Sequence, residues 1–135
     1  CVATTLFEGI AELLERLDAE SIKWGVVTNK TSRYTLPLMQ ALGLAQRAAC
    51  IVSGDSSPRP KPAPDPLLLA STLAGADASR CLYVGDDLRD MQAARAAGMG
   101  AVAAAWGYLG DGLPLEKWGA DTIIRSPAEV FGLLR

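Results

Sequence analysis

Strand-sized apolar runs, separated by helix-patterned segments, constrain this chain more than any other feature. Residues 22–27, 50–53, 81–84, 100–105 and 122–124 each read as a short, largely apolar strand. Strands buried on both faces look this way, and strands that alternate with helices imply a parallel sheet covered on both sides. Ile10, Leu13, Leu14 and Leu17 recur at i, i+3, i+4 and i+7, with Glu12, Glu15 and Arg16 on the other side, so they predict one helix. A second helix is predicted over 31–42, stopped by Gly43, with Pro37 able to bend it. Asp65-Pro66 predicts a third, with Asp65 as N-cap and proline in the first turn. A fourth is predicted over 87–97, ended by Gly98, and Ser126-Pro127-Ala128-Glu129 has the form of a capping box opening a last one. Residues 106–120 read as irregular and Gly-rich. The expected fold class is α/β, with residues 1–135 forming one core.

Composition narrows the chemistry. Half of the 135 residues are hydrophobic, enough for a sizeable core. The net charge of −2, from 13 basic and 15 acidic residues, gives no footprint for nucleic acid or an acidic membrane surface. No apolar run is long enough to span a bilayer. The three cysteines, Cys1, Cys50 and Cys81, are odd in number and lack metal-ligand spacing. Cys50 and Cys81 lie in apolar runs and read as buried thiols, in keeping with a reducing, cytoplasmic compartment. The chain begins with Cys rather than Met, so a preceding segment is expected. Histidine is absent, which removes the commonest general base and zinc ligand. Chemistry here must run on carboxylates, lysine, hydroxyls and a hard metal.

Ligands of parallel sheets bind beyond the carboxyl ends of the strands, and the polar residues of this chain collect there. Val26-Val27 leads into Thr28-Asn29, Ile51 into the loop of Lys61, and Val84-Gly85 into Asp86. Asp86 and Asp90 are four apart and share a helical face, so two carboxylates could hold Mg²⁺, which takes oxygen ligands. The alternative is an N-cap plus a surface acid at the positive end of a helix. Thr28 could donate its hydroxyl to a phosphoryl oxygen, helped by amides of the following helix, or Thr28 or Thr31 could simply cap that helix. Lys61 could be merely solvated. Yet prolines at 60, 62, 64 and 66 stiffen its loop and reduce the cost of fixing the ammonium.

Together, Val26-Val27-Thr28-Asn29-Lys30, Lys61-Pro62 and Val84-Gly85-Asp86-Asp87-Leu88-Arg89-Asp90 resemble the haloacid-dehalogenase superfamily, in that family's order. Lys61-Pro62-Ala63-Pro64-Asp65-Pro66, Phe7-Glu8-Gly9, Trp24-Gly25-Val26 and Trp118-Gly119-Ala120-Asp121 are similar to its phosphoglycolate phosphatase and N-acetylmuramic acid 6-phosphate phosphatase branch. The resemblance implies a Rossmann-like core with helices on both faces. It implies a Mg²⁺-dependent phosphatase working through an aspartyl-phosphate on a small phosphorylated metabolite. Thr28, Asn29 and Lys61 would be catalytic and bind the phosphate, while Asp86 binds the metal directly and Asp90 supports it through water.

The family's first strand ends in Asp-x-Asp-Gly-Thr and supplies the nucleophile, but this chain has no Asp-x-Asp, and the helical cap that usually follows is missing too. The chain by itself is therefore expected to be inactive, and the alternative to the phosphatase reading is a non-catalytic fragment or binding module. In the family that first strand lies mid-sheet. A strand-wide gap is thus expected between strands 22–27 and 81–85, and with it poor folding.

Overall fold

The computed structural model describes residues 2–4, 11–28, 37, 39–41, 43, 48–53, 56, 59, 61–105 and 114–133. Six parallel strands form one sheet: β1 (Val2–Thr4), β2 (Trp24–Val27), β3 (Cys50–Val52), β4 (Leu82–Gly85), β5 (Gly100–Ala104) and β6 (Thr122–Ile124). Their order is β3-β2-β1-β4-β5-β6, a doubly wound arrangement whose order reverses between β1 and β4.

The expected gap is absent. The place between β2 and β4 does exist, since those two strands do not pair with each other, but Val2–Thr4 fills it. Val2 pairs with Trp24 on one side and Leu82 on the other, and Thr4 with Val26 and Val84. The physical reason is local: two facing edges inside a buried sheet would leave orphaned N–H and C=O groups, and a short extended segment at the start of the chain satisfies them.

Helices α1 (Ala11–Ala19), α2 (Asp65–Ala74) and α3 (Leu88–Ala97) cover the sheet. On one face Leu14 and Leu17 of α1 pack with Trp24, Val26, Val84, Val102, Ile124 and Met39. Met39 belongs to the second expected helix, of which residues 37 and 39–41 are helical and 31–36 lie outside the described residues. On the opposite face Leu67, Ala70 and Ala74 of α2 and Met91, Ala94 and Ala97 of α3 pack on Val27, Val52, Tyr83 and Ala101. Alternate residues of each strand thus serve opposite cores, which explains the continuous apolar runs. The buried Trp24 indole keeps a partner, donating from Nε1 to Asp18 Oδ1 at 2.7 Å.

Two helix starts differ from expectation. Pro64, not Asp65, is the N-cap of α2 and makes no side-chain cap bond, whereas Asp65 is the first helical residue and pairs with Arg59 at 2.9 Å. A proline already holds a turn-compatible φ, so no polar cap is required of Asp65. The last helix, Pro127–Leu133, is a 3₁₀ helix. The Glu129 carboxylate nevertheless accepts from the Ser126 amide at 2.9 Å and from the Arg125 amide, the acidic half of the capping box.

Candidate active site

The β4–α3 junction follows from its residues. Gly85 ends β4 so close to α3 that a Cβ there would lie 2.5 Å from Asp90 Oδ2. Asp87, in extended conformation, is the N-cap: its carboxylate accepts from the Arg89 amide at 2.9 Å. Asp90 closes the capping box by accepting from the Asp87 amide at 3.2 Å. The helix ends at Gly98, whose φ of 78° only glycine adopts without strain. The capping alternative weighed for this motif therefore falls to Asp87, leaving the Asp86 carboxylate outside the helix.

Asp90 is not a surface acid; it is 2 % exposed. Its Oδ2 accepts from the amides of Asp86 at 3.1 Å and Asp87 at 3.2 Å. Its Oδ1 lies 2.5 Å from Lys61 Nζ, a buried ion pair. Lys61 itself is 6 % exposed, so the alternative of a solvated lysine fails. Its Nζ also donates to the Tyr83 hydroxyl at 2.7 Å. That hydroxyl lies 3.2 Å from the carbonyl oxygen of Val27 and 3.3 Å from Asp90 Oδ1. Burial first, and the Asp90 charge second, push the Tyr83 phenol well above its usual range, so it remains an O–H group.

Lys61, Asp90 and the end of β2 thus come together, and Asp86 joins them through its amide. Thr28 follows Val27 directly, half-buried, its amide donating to Val52 O at 3.0 Å. Asn29 lies outside the described residues. Tyr83 is the residue that sequence reasoning passed over. Its signal was a tyrosine within an apolar run, since a buried phenol needs a polar partner.

Asp86 is half-buried and, among the described residues, forms no ion pair. Burial, then the charges of Asp90 and Asp87, raise its carboxyl above the usual value, so the position favours a cation. In Asp87, burial acts upward but the Arg89 amide and guanidinium together outweigh it, and the carboxyl sits below its usual value. The described residues contain no group of three or more His, Cys, Asp or Glu side chains placed to hold a metal. Mg²⁺ commonly takes only one or two protein carboxylates, keeping waters and a substrate phosphate, and Asp86 fits that use. Asp90, its oxygens engaged by Lys61, Tyr83 and two amides, can act on an ion only indirectly.

This convergence lies beyond the carboxyl ends of β2 and β4, beside the point where the strand order reverses. The family model described as "Haloacid dehalogenase-like hydrolase" matches residues 2–104. The chain belongs to the haloacid dehalogenase-like hydrolases. It is 46% identical over 127 residues to a phosphoglycolate phosphatase of Xanthomonas campestris, covering 93% of this chain and 57% of that protein. To an N-acetylmuramic acid 6-phosphate phosphatase of Pseudomonas aeruginosa it is 44% identical over 128 residues, covering 95% of this chain and 57% of that one. A crystal structure described as "a predicted phosphoglycolate phosphatase" from Haemophilus somnus superposes with a TM-score of 0.85 at 29% identity, covering 96% of this chain and 57% of that chain. The chain spans little more than half the length of these hydrolase relatives. Among the described residues, no helix is long and apolar enough to cross a membrane.

Proposed function

We propose that this chain forms the phosphate- and metal-binding core of a Mg²⁺-dependent phosphate-monoester hydrolase acting on a small phosphorylated metabolite in the cytoplasm. The observation that carries the reading is the Lys61 ammonium, buried between Asp90 and Tyr83, with Asp90 also accepting from the Asp86 amide. Lys61 neutralises phosphoryl charge, Thr28 and Asn29 donate to phosphoryl oxygens, and Asp86 is the protein ligand of the ion. When bound, Mg²⁺ supplies charge neutralisation at the transferring phosphoryl group. Such fixed charges matter because these esters hydrolyse so slowly that accelerations of up to about 10²¹-fold are required. An Asp carboxylate outside these 135 residues would take the phosphoryl group as the ester P–O bond breaks and the alcohol leaves, and water would then cleave the aspartyl-phosphate to release inorganic phosphate and the free carboxylate. Dividing the reaction in two lowers each barrier.

Phosphoglycolate is the first substrate to test, and N-acetylmuramic acid 6-phosphate the second, because relatives bearing the two names are almost equally similar. In the full-length protein, hydrolysis of both esters is measured with Mg²⁺ and with chelator. Asp86→Ala should abolish Mg²⁺-dependent turnover, and unchanged turnover would sink the assignment. The 135-residue chain alone should not turn over a chromogenic phosphate ester. Turnover by it would mean that a nucleophile lies within the chain.

A further inference from the structure

We propose that Tyr83 is a positioning residue: its hydroxyl, together with Asp90, sets where the Lys61 ammonium meets a phosphoryl group. The inference rests on the phosphatase reading above. Tyr83 is fully buried on β4, two residues before Gly85. It stands in register with Ala3 of β1, which in turn pairs with Gly25 of β2. The place a side chain at Gly25 would take is occupied by Cys50 of β3, and the phenol reaches the end of β2 at Val27. Its oxygen accepts from Lys61 at 2.7 Å and lies 3.2 Å from Val27 O and 3.3 Å from Asp90 Oδ1. One phenolic proton serves either of those two acceptors. The hydroxyl therefore contacts three separate parts of the site: the Lys61 loop, the acidic junction of α3, and the residue preceding Thr28.

The geometry gives the ammonium two anchors. Lysine carries its charge on a flexible four-carbon stem. Asp90 fixes the ammonium against one oxygen, and the Tyr83 hydroxyl fixes it against a second on a different element. A phenylalanine would fill the same apolar space without requiring partners in a buried setting, so the hydroxyl is the informative atom.

The test compares Tyr83→Phe, Lys61→Met and the double variant with wild type in the full-length protein. Four quantities are measured: kcat and KM toward p-nitrophenyl phosphate, the dissociation constant of inorganic phosphate in the presence of Mg²⁺, the thermal midpoint, and the Lys61 side-chain ¹⁵N resonance. Hydrogen bonds to charged groups are the stronger ones, so Tyr83→Phe should lower kcat/KM roughly tenfold and weaken phosphate binding in the same sense. It should also shift or broaden the Lys61 resonance. In the Lys61→Met background the same substitution should change neither kcat/KM nor phosphate affinity further, because the hydroxyl then has no ammonium to hold. Equal fold losses in both backgrounds would assign Tyr83 a merely structural role and overturn the proposal. Hydrolysis by wild type with kcat/KM unchanged in Tyr83→Phe overturns it alone. A wild type that neither hydrolyses phosphate esters nor binds phosphate overturns it together with the phosphatase reading.

Discussion

Lys61 and Asp90 are each nearly free of solvent contact, so their pairing is decided by what happens when one is removed. Breaking a buried ion pair from one side leaves the other charge uncompensated and costs about 3–5 kcal/mol. Lys61→Met should therefore destabilise the fold by that amount in urea unfolding. Adding Asp90→Leu should recover part of the loss, although the amides of Asp86 and Asp87 then lose their acceptor. A single variant as stable as wild type would mean that the amides of Asp86 and Asp87 suffice to hold the buried Asp90 carboxylate without Lys61. Cys50 gives a pH dependence of definite sign. Burial, and secondarily the nearby Cys81, raise its thiol from the usual 9.0 to about 11. An acid whose folded value is raised contributes stability fully present below its unfolded value and lost as pH rises through the folded one. Unfolding free energy should therefore decline between pH 9.0 and about 11 more steeply in wild type than in Cys50→Ala. Parallel profiles in denaturant titrations would contradict it.

At the scale of elements, the β4–α3 junction leaves no room at Gly85. An added Cβ would lie 2.5 Å from Asp90 Oδ2 and 2.6 Å from its Cγ. Asp90 cannot swing aside, because Lys61 and two amides hold it. Gly85→Ala should cost about 1–3 kcal/mol, the usual range for overpacking, and displace the start of α3. Gly100→Ala provides the contrast. There the nearest atom, 2.6 Å away, is the flexible end of Leu82, which can rotate away. Its thermal midpoint should fall less than that of Gly85→Ala. The reverse order would show that the junction yields more easily than its hydrogen bonds suggest. Asp87 explains why the junction keeps its shape without Asp86: the capping box is complete without the latter's carboxylate. That division of labour frees Asp86 for a cation.

For the whole molecule, Val2–Thr4 joins the two halves of the sheet. Three residues make a short strand, yet its place is central, with neighbours hydrogen-bonded on either side. Ala3→Pro would remove an amide from the interior of the sheet, where proline is not tolerated. An orphaned buried backbone partner alone costs about 1–3 kcal/mol. The variant should therefore unfold at clearly lower urea concentration than wild type. An unchanged midpoint would mean that β1 contributes nothing to the stability of the sheet.

By itself the sequence determined the fold class, since apolar runs alternating with helical periodicity fit only strands buried on both faces by helices. It also determined that Thr28, Lys61 and Asp86 follow strand ends, because parallel strands deliver their carboxyl ends to one side. The order of the motifs along the chain carried the family. Tertiary structure decided the rest, for reasons of distance. Which residues occupy the middle of the sheet depends on what lies between β2 and β4, and no local pattern in Val2–Thr4 announces that role. Asp86, Asp87 and Asp90 are equivalent as letters, and only the folded junction makes Asp87 the cap, Asp90 the partner of Lys61, and Asp86 the carboxylate without an ion pair among the described residues. Tyr83 meets Lys61 and Val27 across 22 and 56 residues of chain. Contacts at such separations arise from packing, which a one-dimensional pattern does not encode.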